Sequence, residues 1–237
     1  MKADRLDRIL AGTGLYSRRE AKHLIQSGSV TVDGVSVRAP ETRVSRSSVI
    51  TAAGEKLDSA EYVYYMLNKP AGYVSASKPE GDYPPVTELL PAHLRRRGIF
   101  CVGRLDVDVT GLLILTDDGE FAHRATSPRS EIVKTYEVLA DGPLRAGDAE
   151  ILAAGVTLES GVHYRPARLE LDEGDIRLCR VSVTEGKYHE VKNLMAVLDR
   201  RVVTMRRLSV GGLALDPMLA PGGYRRLEEE EVRRVFL

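Results

Sequence analysis

The chain has only two cysteines in 237 residues, Cys101 and Cys179. They lie far apart, without the paired spacing of a metal knuckle or the density of a disulfide scaffold, and read as buried free thiols of a cytosolic protein. Long hydrophobic runs are missing as well. No apolar stretch approaches the ~18 residues that a membrane span needs, and Met1-Lys2-Ala3-Asp4-Arg5 lacks the apolar region of a secretion signal. A cytoplasmic location without membrane contact is therefore expected. There is no glycine-rich phosphate loop and no dinucleotide fingerprint. His123, His163 and His189 have no spacing that would pair two ligands on one helix, which argues against a metal hydrolase. Net charge is absent too, with 34 Lys+Arg against 34 Asp+Glu, which argues against a chain that coats nucleic acid non-specifically.

The length allows one large domain, or a large one with a small companion, and a hydrophobic content of 43% suffices for real cores. The charge balance conceals an asymmetry. Residues 1–57 carry ten Lys/Arg against six Asp/Glu, a net of +4, and the remainder offsets it with −4. The small basic part is the better candidate for a polyanion footprint.

In that part Leu6, Ile9 and Leu10 have helical spacing, and Gly12-Thr13-Gly14 ends the helix. Ser17-Arg18-Arg19-Glu20 reads as a capping box opening a second helix, with Ala21, Leu24 and Ile25 as its buried stripe and Gly28 as its C-terminal cap. Val30, Val32, Val35 and Val37 flank Asp33-Gly34, a hairpin signal. Two short helices and a hairpin, carrying Arg5-Leu6-Asp7, Ser17-Arg18, Gly28 and Val30-Thr31-Val32-Asp33-Gly34 in this order, resemble the RNA-binding module of ribosomal protein S-four. Arg18 and Lys22 lie one turn apart with Arg19 close by, so they share a face suited to phosphates. By the resemblance Arg18, Arg19 and Lys22 are RNA contacts, with Arg5, Arg8 and Lys2 as weaker candidates. The segment from Arg43 to Ala60 is polar and rich in turns around one short strand, Val49-Ile50, which puts the boundary at 1–59 and 60–237.

The larger part opens with a strand, Tyr62 to Leu67, running into the turn Asn68-Lys69-Pro70-Ala71-Gly72. Arg95-Arg96-Arg97 precedes the strand Phe100-Cys101-Val102; such a run is either a solvated end or a grip on phosphate. The most informative stretch follows: Gly103-Arg104-Leu105-Asp106-Val107-Asp108-Val109-Thr110-Gly111-Leu112-Leu113, continuing through Thr116-Asp117-Asp118-Gly119. It sets one carboxylate, Asp106, beside an arginine and ahead of an apolar run, where it can be partly desolvated at the lip of a sheet and prepared for covalent or proton-transfer work. Asp117 or Asp118 can cap a short helix through Phe121 and His123 that Ser127-Pro128-Arg129 ends. Ile132 to Leu139 alternates as a strand with Lys134 and Tyr136 on one face. After a further strand, Leu178 to Val183, comes Glu185-Gly186-Lys187-Tyr188-His189-Glu190-Val191-Lys192. Val191, Leu194, Met195 and Leu198 predict a helix starting near Tyr188, with Lys192 off its buried stripe. The tail carries Gly211-Gly212-Leu213, then Pro221-Gly222-Gly223-Tyr224-Arg225-Arg226-Leu227, and four glutamates that open a surface helix.

The Asp106 motif, Asn-Lys-Pro-x-Gly, Lys-x-Tyr and the Tyr188-to-Lys192 segment together resemble the RsuA/RluB/E/F branch of the ribosomal RNA pseudouridine synthases. The wording around Tyr188-His189 is most similar to the RsuA members, which modify small-subunit rRNA. The resemblance implies an α+β fold: a mixed, mainly antiparallel sheet flanked by helices, with a separate N-terminal α/β RNA-binding domain. It implies an enzyme that isomerises one uridine of 16S rRNA to pseudouridine, free or within a partly assembled small subunit, and a monomer is expected. Asp106 is then the catalytic aspartate, and Arg104, Tyr136, Val191 and Lys192 bind substrate. Tyr136 would stack on the flipped base, Val191 would pack beneath it, and Lys192 would pair with Asp106. Lys69 would define the fold and at most touch RNA. No cofactor or metal is implied, because the base is both leaving group and returning nucleophile. Two residues depart from the family pattern: Val109 stands where a hydroxyl residue is usual, and Asn193 where a base is common. The alternatives are the same chemistry on 23S rRNA and a non-catalytic assembly factor that keeps the fold.

Overall fold

The computed structural model describes residues 3–237, which fall into two compact units: the chain up to Val63 together with Leu90–Ile99, and Tyr64–Leu89 together with Phe100–Leu237. Lys2 lies outside the described residues.

The first unit runs β1 (Ala3–Arg5), α1 (Leu6–Gly12), α2 (Arg18–Ser27), β2 (Val30–Val32), β3 (Val35–Ser36), β4 (Arg43–Ser45), β5 (Ile50–Ala52) and β6 (Glu55–Lys56), with α3 (Ala92–Arg97) added from the later segment. The capping box forms as expected: the Ser17 hydroxyl accepts from the Glu20 amide, and the Ser17 amide donates to the Glu20 carboxylate. Gly28 ends α2 in the left-handed region. Asp33 and Gly34 both take positive φ to turn β2 into β3, and the Asp33 carboxylate accepts from the Val49 amide. Leu6, Ile9, Leu10, Ala21, Ile25, Val30 and Ile50 form the core beneath the order β3-β2-β5-β6.

The second unit contains β7 (Tyr64–Lys69), β8 (Phe100–Val102), β9 (Thr110–Thr116), α4 (Gly119–Thr126), β10 (Lys134–Ala140), α5 (Asp148–Ala153), β11 (Val156–Thr157), β12 (His163–Tyr164), β13 (Arg168–Leu171), β14 (Leu178–Val183), α6 (Glu190–Val197), β15 (Val202–Val210), β16 (Leu213–Ala214), β17 (Tyr224–Arg226) and α7 (Glu229–Arg234). Its main sheet has the order β13-β14-β10-β15-β9-β7-β17, with β8 also on β9 and β16 on β15. Within that sheet only the β15–β9 pair is parallel. This is the mixed, mainly antiparallel sheet flanked by helices. Leu112, Leu113, Ile114 and Leu115 of β9 are all buried, because the strand is covered on both faces. Met66, Leu112, Ile114 and Val210 meet Phe121 and Ala125 of α4 and Val235 just past α7 in one apolar cluster. Asp118, the N-cap of α4, accepts from the Phe121 amide and also receives the Tyr64 hydroxyl at 2.6 Å.

Several element ends differ from expectation; the strand read over Ile132–Leu139, for one, runs from Lys134 to Ala140. The strand placed at Tyr62–Leu67 extends instead through Asn68 and Lys69, polar residues that stay in register with Leu112 and Gly111 and are buried. The short strand expected at Val49-Ile50 runs from Ile50 to Ala52. The helix expected near Tyr188 starts at Glu190, because His189 adopts a left-handed conformation (φ 53°) that helix cannot continue through. Both cysteines are free thiols, Cys179 buried and Cys101 half-buried, and burial pushes each up to about 12, so neither is a ready thiolate.

Gly111 carries the one parallel junction. Its φ is +101°, and a side chain there would sit 2.3 Å from the Arg207 carbonyl and 2.7 Å from its amide. Gly111→Ala should therefore destabilise the protein by about 2 kcal/mol or more, read as a lowered midpoint in urea unfolding.

Candidate active site

The loop Gly103–Val109 leaves β8 and enters β9, and its shape is set by its neighbours rather than by its own residues. The Ser75 hydroxyl donates to the Leu105 carbonyl and accepts from the Leu105 amide, both at 2.9 Å. The Gly72 amide donates to the Val107 carbonyl at 2.8 Å. Beneath the loop lies Lys69, with no exposed surface. Its ammonium donates to the carbonyls of Val109 at 2.8 Å, Asp106 at 3.0 Å and Pro70 at 3.1 Å, with Val107 at 3.4 Å. Burial pulls this lysine down to about 8, with the negative charges of Asp108 and Asp106 opposing the shift. An ammonium has three protons, so it can satisfy three of these converging carbonyls at once. Lys69 thus cannot meet RNA; it holds the loop from inside. Val109, which stands where the resembled family usually has a hydroxyl residue, is buried and closes the turn through its backbone, its amide donating to the Asp106 carbonyl at 3.1 Å.

On the outer side of the loop the Asp106 carboxylate is one-third exposed and lies 3.0 Å from the Lys192 ammonium and 3.4 Å from the His189 Nε2. Lys192 also donates to both oxygens of Asp108, at 2.8 and 3.0 Å. Burial by itself would lower the lysine, but the hydrogen bonds to Asp108 and Asp106 outweigh it and the net shift is upward. Asp108 is held below the usual carboxylate range, its own burial opposing and the Lys192 hydrogen bond prevailing. Lys192 reaches the loop because it sits off the buried stripe of α6, while Val191, Leu194 and Met195 face inward. A cavity of about 760 Å³ opens beside these groups, with Glu80, Tyr83, Arg104, Tyr188 and His189 among its walls. A carboxylate next to a fixed cation in a cleft open to solvent can attack a carbon or take a proton.

The structure thus brings together Asp106, Lys192 and Arg104. Arg104 forms a two-pronged pair with Glu80 at 3.0 and 2.8 Å. Tyr136 and Val191 do not line this cavity. Tyr136 stands in β10 between Val181 and Arg207, 8% exposed, and Val191 is 5% exposed. In the first unit Arg5, Arg18 and Lys22 line one basic hollow, joined by Arg8 and by Arg96 of α3, whose Nε donates to the Gly14 carbonyl at 2.7 Å. Arg19 lies with Arg18 and Lys22 in a neighbouring hollow. Arg5 is tied to Asp7 through two hydrogen bonds.

Asp108, His189 and Glu190 stand inside the motifs read from the sequence, but the sequence assigns none of them a role in the site. The signal for Asp108 was its two-residue spacing from Asp106, which lets one cation serve both. Glu190 is 4% exposed; one oxygen accepts from the Lys187 amide at 3.1 Å and the other has no hydrogen-bond partner. Burial raises it to about 7, with the nearby Glu185 charge adding to the shift. Among the described residues no group of His, Cys, Asp or Glu could hold a metal ion, and no helix is long and apolar enough to cross a membrane.

Residues 63–197 match the family model described as RNA pseudouridylate synthase, and residues 4–50 match the S4 domain. The chain is 39% identical to the ribosomal small subunit pseudouridine synthase A of Escherichia coli (strain K12), over 98% of this chain and 99% of that protein. It is likewise 39% identical to an uncharacterized RNA pseudouridine synthase of Bacillus subtilis (strain 168), over 96% of each. A crystal structure of a pseudouridylate synthase matches with a TM-score of 0.69 and 34% identity, covering 98% of this chain and 99% of that one.

Two outcomes test this geometry. Lys69→Met strands several carbonyls without a donor and should cost about 3 kcal/mol of stability, measured by chemical unfolding. Glu190 has a native pKa above its unfolded value, so its contribution is fully present below about pH 4.5 and is lost as pH rises through about 7. Glu190→Gln should therefore match wild type at pH 4.5 and exceed it by on the order of 2–3 kcal/mol at pH 8; a constant difference across that window would refute the assignment.

Proposed function

Because the chain belongs to the RNA pseudouridylate synthase family, we propose that it isomerises one uridine of small-subunit ribosomal RNA to pseudouridine, with Asp106 as the catalytic carboxylate. The observation that carries this is the Asp106 carboxylate, open to the cavity and 3.0 Å from Lys192 on a loop pinned from below by Lys69. The small-subunit assignment draws support from the 39% identity to the Escherichia coli enzyme of that name.

In the reaction the bond from ribose C1′ to N1 of the base breaks and a bond from C1′ to C5 forms. The C5 proton leaves and N1 takes one up, so the product is an isomer. Asp106 acts either as nucleophile at C1′ or as base toward the neighbouring sugar carbon. Both roles need a carboxylate, and Lys192 supplies the positive charge beside it. The detached base is both leaving group and returning nucleophile, so the residues need no cofactor. Arg104, once released from Glu80, is placed to grip the RNA backbone at the cavity wall. Tyr136 is the stacking plate for the flipped base and Val191 packs beneath it. Since Tyr136 is only 8% exposed, stacking requires the ring to be uncovered as the base enters. Flipping costs a few kcal/mol, and stacking offsets part of it. The basic hollow of the first unit, with Arg5, Arg18, Arg19 and Lys22, holds phosphates and positions the RNA without reading its sequence. The protein works as a monomer in the cytoplasm, on 16S rRNA free or in a partly assembled small subunit.

Site-resolved pseudouridine mapping of 16S and 23S rRNA in cells lacking the protein tests the reading. One 16S site should vanish and return with wild type but not with Asp106→Ala. A lost 23S site would move the substrate to the large subunit, and unchanged maps would favour a non-catalytic assembly role. On the purified enzyme, Lys192→Met should lower kcat by about a hundredfold, since misplacing a reacting group by about 1 Å costs that much.

A further inference from the structure

Tyr188 is 81% exposed, yet its ring has a partner. It lies flat on the His189 imidazole, with centroids 3.8 Å apart and planes 22° from parallel. His189 in turn sets its Nε2 3.4 Å from the Asp106 carboxylate, so Tyr188 stands one ring away from the proposed catalytic group. The turn that presents the pair is tied on several sides. The Lys187 amide donates to the Glu190 carboxylate, and the Glu190 amide returns to the Lys187 carbonyl at 3.2 Å. The Asn193 amide donates to the His189 carbonyl at 2.9 Å, and its side chain reaches the Tyr164 hydroxyl at 2.6 Å and the Tyr188 carbonyl at 3.4 Å. His189 itself is held at φ 53°, a conformation that persists in a non-glycine residue only where surrounding bonds enforce it. A structure that fixes an aromatic face in water, on the wall of the reactive cavity, has prepared a planar surface for a planar ligand.

We propose that Tyr188 is a stacking platform for the nucleobase that flanks the target uridine. This rests on the RNA reading of the same site. Extruding a uridine leaves its neighbours without a stacking partner on one side. One face of Tyr188 is taken by His189 and the other is open, so the platform accepts one base. Stacking on an aromatic ring tolerates any base. Tyr188 therefore adds affinity and register for the nucleotide beside the target, while Asp106 acts on the target itself. Asn193 acts at one remove, by holding the Tyr188 backbone.

Steady-state rates on a synthetic oligoribonucleotide spanning the mapped uridine, varied in concentration, test this. Tyr188→Ala should raise KM about tenfold and change kcat by less than about threefold, whereas Tyr188→Phe should behave as wild type. An abasic residue on one flank should cost wild type the same factor and cost Tyr188→Ala nothing further. A loss confined to kcat, or equal abasic penalties in both proteins, overturns the proposal. Stacking is also read without catalysis: an oligoribonucleotide with 2-aminopurine beside a uridine should be quenched by wild type and not by Tyr188→Ala. If wild type quenches but forms no pseudouridine in any rRNA, the proposed reaction fails while the platform stands. If quenching is the same in both proteins, the platform fails whatever the activity.

Discussion

One buried ammonium organises the Asp106 loop of the second unit. Lys69 belongs to β7 and is paired in the sheet, yet its side chain projects under the Gly103–Val109 loop and gathers the Asp106, Val107 and Val109 carbonyls. A charge taken out of water is costly unless hydrogen bonds replace the lost solvation. Here backbone carbonyls of the Asp106 loop do that work, and the loop gains a fixed shape in return. The dependence is mutual: without the loop the lysine is stranded, and without the lysine the carbonyls are.

The outer face of the same loop uses the opposite arrangement. Two carboxylates, Asp106 and Asp108, share one lysine from α6. Asp108 is the more exposed of the two, 64% against 32%, and takes both of its lysine contacts at hydrogen-bond distance. Asp106 is therefore held by a cation that is anchored on Asp108 as well, and its carboxylate lines the cavity. Placement of α6 is what makes this work, and that helix begins where His189 breaks the backbone path.

Periodicity and caps carried much of the fold in the sequence. The capping box at Ser17, the hairpin at Asp33-Gly34, the apolar run of β9 and the stripe of α6 are local patterns, and each formed as its residues suggested. Asp106 and Lys192 stood out through their motifs, and the structure sets them in contact across 86 residues of chain. What was illegible depends on long-range burial. Lys69 looks like a turn lysine because nothing nearby announces that a loop about 37 residues later will enclose it. Glu190 reads as an ordinary first-turn glutamate, and only the packing around it turns the solvated charge into a buried one. Arg96 belongs to a run that reads equally as a solvated end or a grip on phosphate, and only the packing of α3 in the first unit beside Gly14 sets it in the basic hollow.

The parallel junction between β9 and β15 has a consequence in time. Gly111 meets Arg207, and the Arg207 guanidinium donates to the Leu112 carbonyl across 95 residues. Lys192 arrives nearly as late. Contacts of such sequence separation form slowly and only after the intervening chain exists. During synthesis the N-terminal helices and hairpin, whose contacts are local, can therefore fold while the Asp106 loop still lacks its partners. In a nascent chain the basic hollow can thus take shape well before the Asp106–Lys192 contact, which forms only as the later helix and strands emerge.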